Sequence, residues 1–237
     1  MFELFGVSHL ITIGVLAAAG LATICVCRYG SAGVRIWLGR FLGFILIGYA
    51  ATVYVQKGIG GELSWQYALP LEFCHWVLFA AVISLFRPTQ LLSEIAYFWG
   101  SAGTLQATLT PDISQGFPSL EFILFFWSHG GILLAILFLF VGQDFRPRRG
   151  SVWRMLLAAN LYAATVGFLD KLFGWNYGYL CGKPFQPSLM DYLGPWPWYL
   201  VSLEFVALLS FWFLSLPWKI IEVCSSRFAA HSKAAQD

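Results

Sequence analysis

Residues 68–86 read ALPLEFCHWVLFAAVISLF. From Trp76 onward the stretch is apolar apart from Ser84, while its opening part sets Glu72, Cys74 and His75 within four residues. A transmembrane helix needs about 20 mostly apolar residues, and this run nearly supplies them. A carboxylate, a thiol and an imidazole at membrane depth are costly, so such a cluster marks a functional site. If the run is a span, the remaining chain must pack around it and supply its partners.

Composition agrees. Of 237 residues, 59% are hydrophobic and 11% charged, against about 25% charged in a soluble domain. That surface could not be solvated by water, which excludes a soluble globular protein. Seven runs qualify as spans, at 9–27, 36–56, 68–86, 91–109, 121–142, 152–170 and 196–218. They are too long for strands and lack period-2 alternation. The predicted fold is therefore all-α, a polytopic bundle of seven transmembrane helices. It forms a single domain over residues 1–218, with a long loop at 171–195 and a polar tail at 219–237. The first run has no basic segment and no small-residue cleavage site before it, so it reads as a permanent span.

Seven spans sort the basic residues. Arg28, Arg35, Arg40, Arg87, Arg146, Arg148, Arg149, Arg154, Lys219, Arg227 and Lys233 fall on one side, and Lys57, Lys171 and Lys183 on the other. The side richer in Lys and Arg is cytoplasmic, which puts the N-terminus outside and the C-terminus inside. The expected location is a bacterial inner (plasma) membrane. The five cysteines, at 25, 27, 74, 181 and 224, lack C-x-x-C spacing and imply no disulfide framework.

A rise of about 1.5 Å per residue converts position to depth. Entering from outside, Cys74 lies about 9 Å deep, and His129 and Glu204 about 12 Å. Gln106 lies about 6 Å from the outer end of its span, and His9 sits at the outer boundary. Five helices thus place a polar group in one slab. Asn160 lies near mid-membrane and Glu94 in the inner half. At about 100° per residue, Glu72, Cys74 and His75 cannot all face one spot, so Cys74 pairs better with His129 of another helix. Ser128 and the Gly130-Gly131 pair flank that histidine, and glycines permit close approach. Glu72 and His75 then fall to supporting or packing roles.

Burial makes a thiol a poor nucleophile because it disfavours the thiolate; a neighbouring imidazole can take the proton. Cys74 and His129 are thus a minimal apparatus for acyl transfer to or from a lipid ester that enters from the bilayer. Glu204 could orient the imidazole, and Gln106 could donate to a developing oxyanion. Each residue also has a plainer reading: a buried thiol is usually a small hydrophobe, and a buried carboxyl can sit protonated. Two other functions stay open, a non-catalytic transporter or lipid-binding scaffold, and a metal-dependent lipid hydrolase with His9, His75 and His129 as ligands. The chain has no H-E-x-x-H or H-x-x-x-H motif, so no metal is expected, and no other cofactor. Gly58-Ile59-Gly60-Gly61 opens no α/β unit, and the basic run at 146–149 is too short to argue for nucleic acid.

The loop at 171–195 is broken by Pro184, Pro187 and Pro195 and is rich in aromatics. A connector of that length is functional or disordered, and the aromatics argue for order. It reads as a cap over the outer mouth of the site, with Asn176, Tyr177 and Asp191 as candidate substrate contacts.

The segments LPLEFCHW (69–76), SEIAYFWGSAGTLQATLTPD (93–112), FFWSHGG (125–131), ANLYA (159–163), NYGYLCGKP (176–184) and PSLMDYLGPWPWY (187–199) follow in order. The set resembles the YwaF-like family of multi-pass membrane proteins, to which transmembrane protein 164 of animals is similar. Androgen-induced-gene-type lipid hydrolases are more distantly alike. The resemblance covers about residues 5–217. It implies a cysteine-dependent phospholipid acyltransferase in which Cys74 takes the acyl group and His129 matches the family histidine. His75 and Trp76 depart from the smaller or acidic residues expected after that cysteine.

Overall fold

The computed structural model describes residues 1–61, 64–184 and 188–234, with the side chains of Tyr67 and of residues 221–234 outside that description. The expectations resting on Pro187 and on the side chains of Cys224, Arg227 and Lys233 therefore lie outside that description. Among those described, the chain is helical and has no strand.

The helices are α1 (Val7–Tyr29), α2 (Ala32–Ile59), a single turn α3 (Trp65–Ala68), α4 (Phe73–Phe86), α5 (Gln90–Trp99), α6 (Leu105–Leu109), α7 (Leu120–Gly142), α8 (Ser151–Phe173) and α9 (Trp198–Ala234). Five of them, α1, α2, α7, α8 and the Trp198–Ile220 part of α9, are long and apolar enough to cross a membrane. Side chains such as Leu10, Val15, Phe44, Leu161 and Phe205 lie exposed along them. That is what a lipid solvent permits and water does not.

Helix ends follow local chemistry. Ser31 and Ser119 cap α2 and α7, accepting from the Val34 and Phe122 amides at 3.4 and 3.2 Å, as short hydroxyl side chains do for orphan N–H groups. Gly150 and Gly174 bracket α8 at φ 76° and 72°, left-handed values that glycine adopts freely.

The expected span at 68–86 is corrected. Pro70 removes a helical donor and forces the preceding residue out of the helical region; Leu69 is extended at ψ 135°. The helix therefore starts at Phe73, and α4 has 14 residues. The expected span at 91–109 is one rod in three pieces. A π-helical turn at Gly100–Thr104 joins α5 to α6. Such turns are rare and favour functional places. At the other end, α9 does not stop at residue 218 but runs on to Ala234, through Pro217.

The hub is α7, which touches α1, α2, α4, the π turn and α6. Leu16 of α1 packs over Gly130 and Leu46 of α2 over Gly131. Ile136 and Val77 press on Gly100 of the π turn. The core between these helices, including Leu46, Ala81, Phe98, Ile132 and Leu139, is closed to solvent. Two indoles tie it across helices, Trp127 to the Ile45 carbonyl at 3.0 Å and Trp99 to the Met155 carbonyl at 3.1 Å.

Candidate active site

Because α4 begins at Phe73, Cys74 is not deep inside a helix but in its first turn, with Glu72 as the N-cap residue. The first-turn amides of a helix have no intrahelical acceptor and carry its positive end.

Opposite it stands His129 on α7. Cys74 Sγ and His129 Nε2 are 3.7 Å apart, within the reach of a sulfur hydrogen bond. The other ring nitrogen fixes the tautomer. His129 Nδ1 lies 2.8 Å from the Phe125 carbonyl and 3.0 Å from Ser128 Oγ. A carbonyl only accepts, so Nδ1 carries the proton and the Nε2 lone pair faces the thiol. Ser128 in turn donates to the same Phe125 carbonyl at 2.9 Å. Phe125 stacks on the imidazole with centroids 4.1 Å apart. Both Cys74 and His129 are half-buried.

The remaining expected residues take other places. Glu204 does not serve His129; it accepts from Asn160 Nδ2 at 2.6 Å. Gln106 is exposed and donates to Thr110 Oγ1 at 2.8 Å, one turn along α6. His9 is fully buried, receives the Phe5 amide at 3.1 Å and meets the Thr108 carbonyl at 3.0 Å, so both its nitrogens hold the N-terminal segment in place. His75 keeps a buried Nδ1 with no hydrogen-bond partner among the described residues. Three or more His, Cys, Asp or Glu side chains do not converge on a metal position anywhere among the described residues, so His9, His75 and His129 do not form the ligand set considered above.

Loop 171–195 docks on the segment that leads into Cys74. Gly178 N–H donates to Glu72 Oε2 at 2.9 Å, and the Tyr177 hydroxyl donates to the Gln66 carbonyl. Tyr162 of α8 and Tyr54 of α2 donate to the Leu71 and Ala68 carbonyls at 2.8 and 2.9 Å. Tyr179 donates to Asp112 at 2.8 Å, and burial together with that carboxylate pushes its phenol above the ordinary value. Asn176 is a turn scaffold, accepting the Cys181 and Gly182 amides, both at 2.9 Å. Asp191 closes a capping box with Ser188. All three expected loop contacts thus have structural partners within the protein.

Sequence reading missed the buried Asp170 at the C-terminal end of α8, whose carboxylate oxygens have no partner among the described residues. Asp170 was legible as an acid closing an apolar run.

The model of one family, the TMEM164 family, matches the chain over residues 4–215. No curated protein matches, and no solved structure does.

Proposed function

The chain belongs to the TMEM164 family, a multi-pass membrane family, and from that premise we propose that it is a membrane-embedded lipid acyltransferase or lipid hydrolase working through an acyl-thioester on Cys74. The observation that carries this reading is the Cys74–His129 contact of 3.7 Å with the imidazole lone pair toward the sulfur.

The chemistry runs in two halves. His129 Nε2 takes the thiol proton as Sγ attacks the carbonyl carbon of a phospholipid ester, and the π electrons move to the carbonyl oxygen. Collapse re-forms the carbonyl and breaks the ester C–O bond; the leaving lysolipid alkoxide recovers the proton from Nε2. A hydroxyl, from an acceptor lipid or from water, then gives its proton to Nε2 and attacks the thioester, and the sulfur leaves and is reprotonated. The amides of Phe73 and Cys74 at the start of α4 are the natural donors to the oxyanion, a role that passes to them from Gln106.

The arrangement within the membrane belongs to the same proposal. The short α4 and the three-part α5–α6 rod act as a third and a fourth pass, which makes seven. The N-terminus is then outside and the C-terminus cytoplasmic, as the distribution of arginines supports.

The test is direct. Purified protein is incubated with phosphatidylcholine vesicles carrying a labelled acyl chain, quenched in acid, and its peptides analysed by mass spectrometry. Acyl-Cys74 is expected in wild type and absent in Cys74→Ala. Lipid retained with no acyl-cysteine in wild type would indicate a scaffold or transporter and sink the proposal.

A further inference from the structure

At the basic end of the bundle, remote from Cys74, a cavity of about 390 Å³ opens between α2, α4 and α7. Its walls include Ile36, Leu85, Phe86 and Phe138, and its polar groups are Arg35, Arg40 and Gln143. Gln143 ends α7, 14 residues beyond His129, or about 21 Å along the axis. This is therefore a separate place.

Three observations make it a site and not a gap. Neither Arg35 nor Arg40 has a carboxylate partner among the described residues. Arg40 is instead held over the Trp37 ring at 5.8 Å, and Arg35 is half-buried, so two guanidinium groups face the cavity uncompensated. Gln143 is fixed by donating to the Ser84 carbonyl at 3.3 Å, while its Oε1 is buried with no hydrogen-bond partner among the described residues. The cavity thus offers cationic forks suited to phosphate. Phe86 and Ile36 on its rim are exposed at 38% and 54%, which suits a ligand whose remaining bulk is acyl chain.

We propose that this cavity binds the headgroup of an anionic glycerophospholipid, its phosphate on Arg35 and Arg40. The site does not depend on the chemistry at Cys74. It senses or anchors the surrounding leaflet from the end of the bundle opposite the thiol.

The experiment is native mass spectrometry of the full chain in detergent, with phosphatidylglycerol, phosphatidylcholine and soluble glycerol 3-phosphate as probes. Wild type is expected to retain phosphatidylglycerol over phosphatidylcholine by about tenfold. The Arg35→Gln/Arg40→Gln variant is expected to lose that preference with its thermal midpoint unchanged. If the double variant does not fold, Arg40→Gln alone carries the test, with a loss of about threefold, because its side chain is exposed. An unchanged preference in the variants overturns the site. Displacement of phosphatidylglycerol by glycerol 3-phosphate at equal concentration overturns its assignment to a lipid.

Discussion

Two polar clusters interrupt this apolar bundle, and they are built on opposite terms. At the basic end, Glu94 of α5 is wholly buried and saturated. It accepts from Gln90 Nε2 at 3.2 Å, from the Arg148 amide and Nε at 3.0 Å each, from Arg148 Nη2 at 3.0 Å, from Ser151 Oγ at 2.7 Å and from Arg154 Nη2 at 3.3 Å. At the other cluster, Cys74 has one partner among the described residues, a long 3.7 Å contact to the imidazole of His129. A carboxylate whose lone pairs are all taken cannot receive a substrate; it can only hold α5 to the loop before α8. A thiol with a single weak acceptor has capacity left over. The difference teaches that saturation, more than burial or residue type, separates a structural polar group from one available for chemistry.

Substitutions can break that contrast. The largest effect is expected from Cys74→Ala, which should abolish acyl transfer, by about 1000-fold or more, with the thermal midpoint in detergent nearly unchanged. His129→Gln should lower single-turnover acylation of Cys74 by about 100- to 10,000-fold and likewise leave the fold intact. Glu94→Ala should do the reverse. Removing one member of a buried ion pair costs about 3–5 kcal/mol, and with Arg148 and Arg154 partly solvated the lower figure applies. A reduced unfolding midpoint with full specific activity in the surviving folded fraction is the expected result. If Glu94→Ala lost activity without losing stability, the division between the clusters would fail.

Smaller changes sharpen it. Gly130→Val would drive a side chain into Leu16 of α1 and cost about 1–3 kcal/mol by overpacking, read as a lowered midpoint. Tyr179→Phe deletes one hydrogen bond to Asp112 and should cost about 1 kcal/mol of loop docking, seen as faster proteolysis of the 171–195 segment. The raised phenol in the docked loop means its protonated form is favoured by folding. That contribution is complete below about pH 10 and is lost as pH rises through the folded value, so wild type and Tyr179→Phe should converge only in strong alkali.

Much of the architecture was legible because lipid imposes a simple demand, a long apolar run for each crossing. The pairing of Cys74 with His129 followed from depth together with the helical wheel, which kept Glu72, Cys74 and His75 from facing one spot, whereas the roles of Glu204 and Gln106 rested on depth alone. Depth carries no azimuth, however, and that is why Glu204 and Gln106 were placed in the same slab as His129 yet turn to Asn160 and Thr110. The start of α4 was misplaced because hydropathy does not register what Pro70 does to the backbone. The orienting group of His129 escaped notice for a related reason. It is the carbonyl of Phe125, one turn back on the same helix, and main-chain atoms leave no mark in a sequence.

The moorings of residues 66–71 have a corollary for variation. Tyr54, Tyr162 and Tyr177 all hold this segment by main-chain oxygens, at Ala68, Leu71 and Gln66. The grip is blind to what those three positions carry, so a library randomised at 66, 68 and 71 should keep most members functional. A library at 54, 162 and 177 should retain mainly tyrosine. The peptide running into Cys74 is thus free to drift in side-chain identity while its path stays put, which makes it the place to vary the approach to the thiol without displacing it.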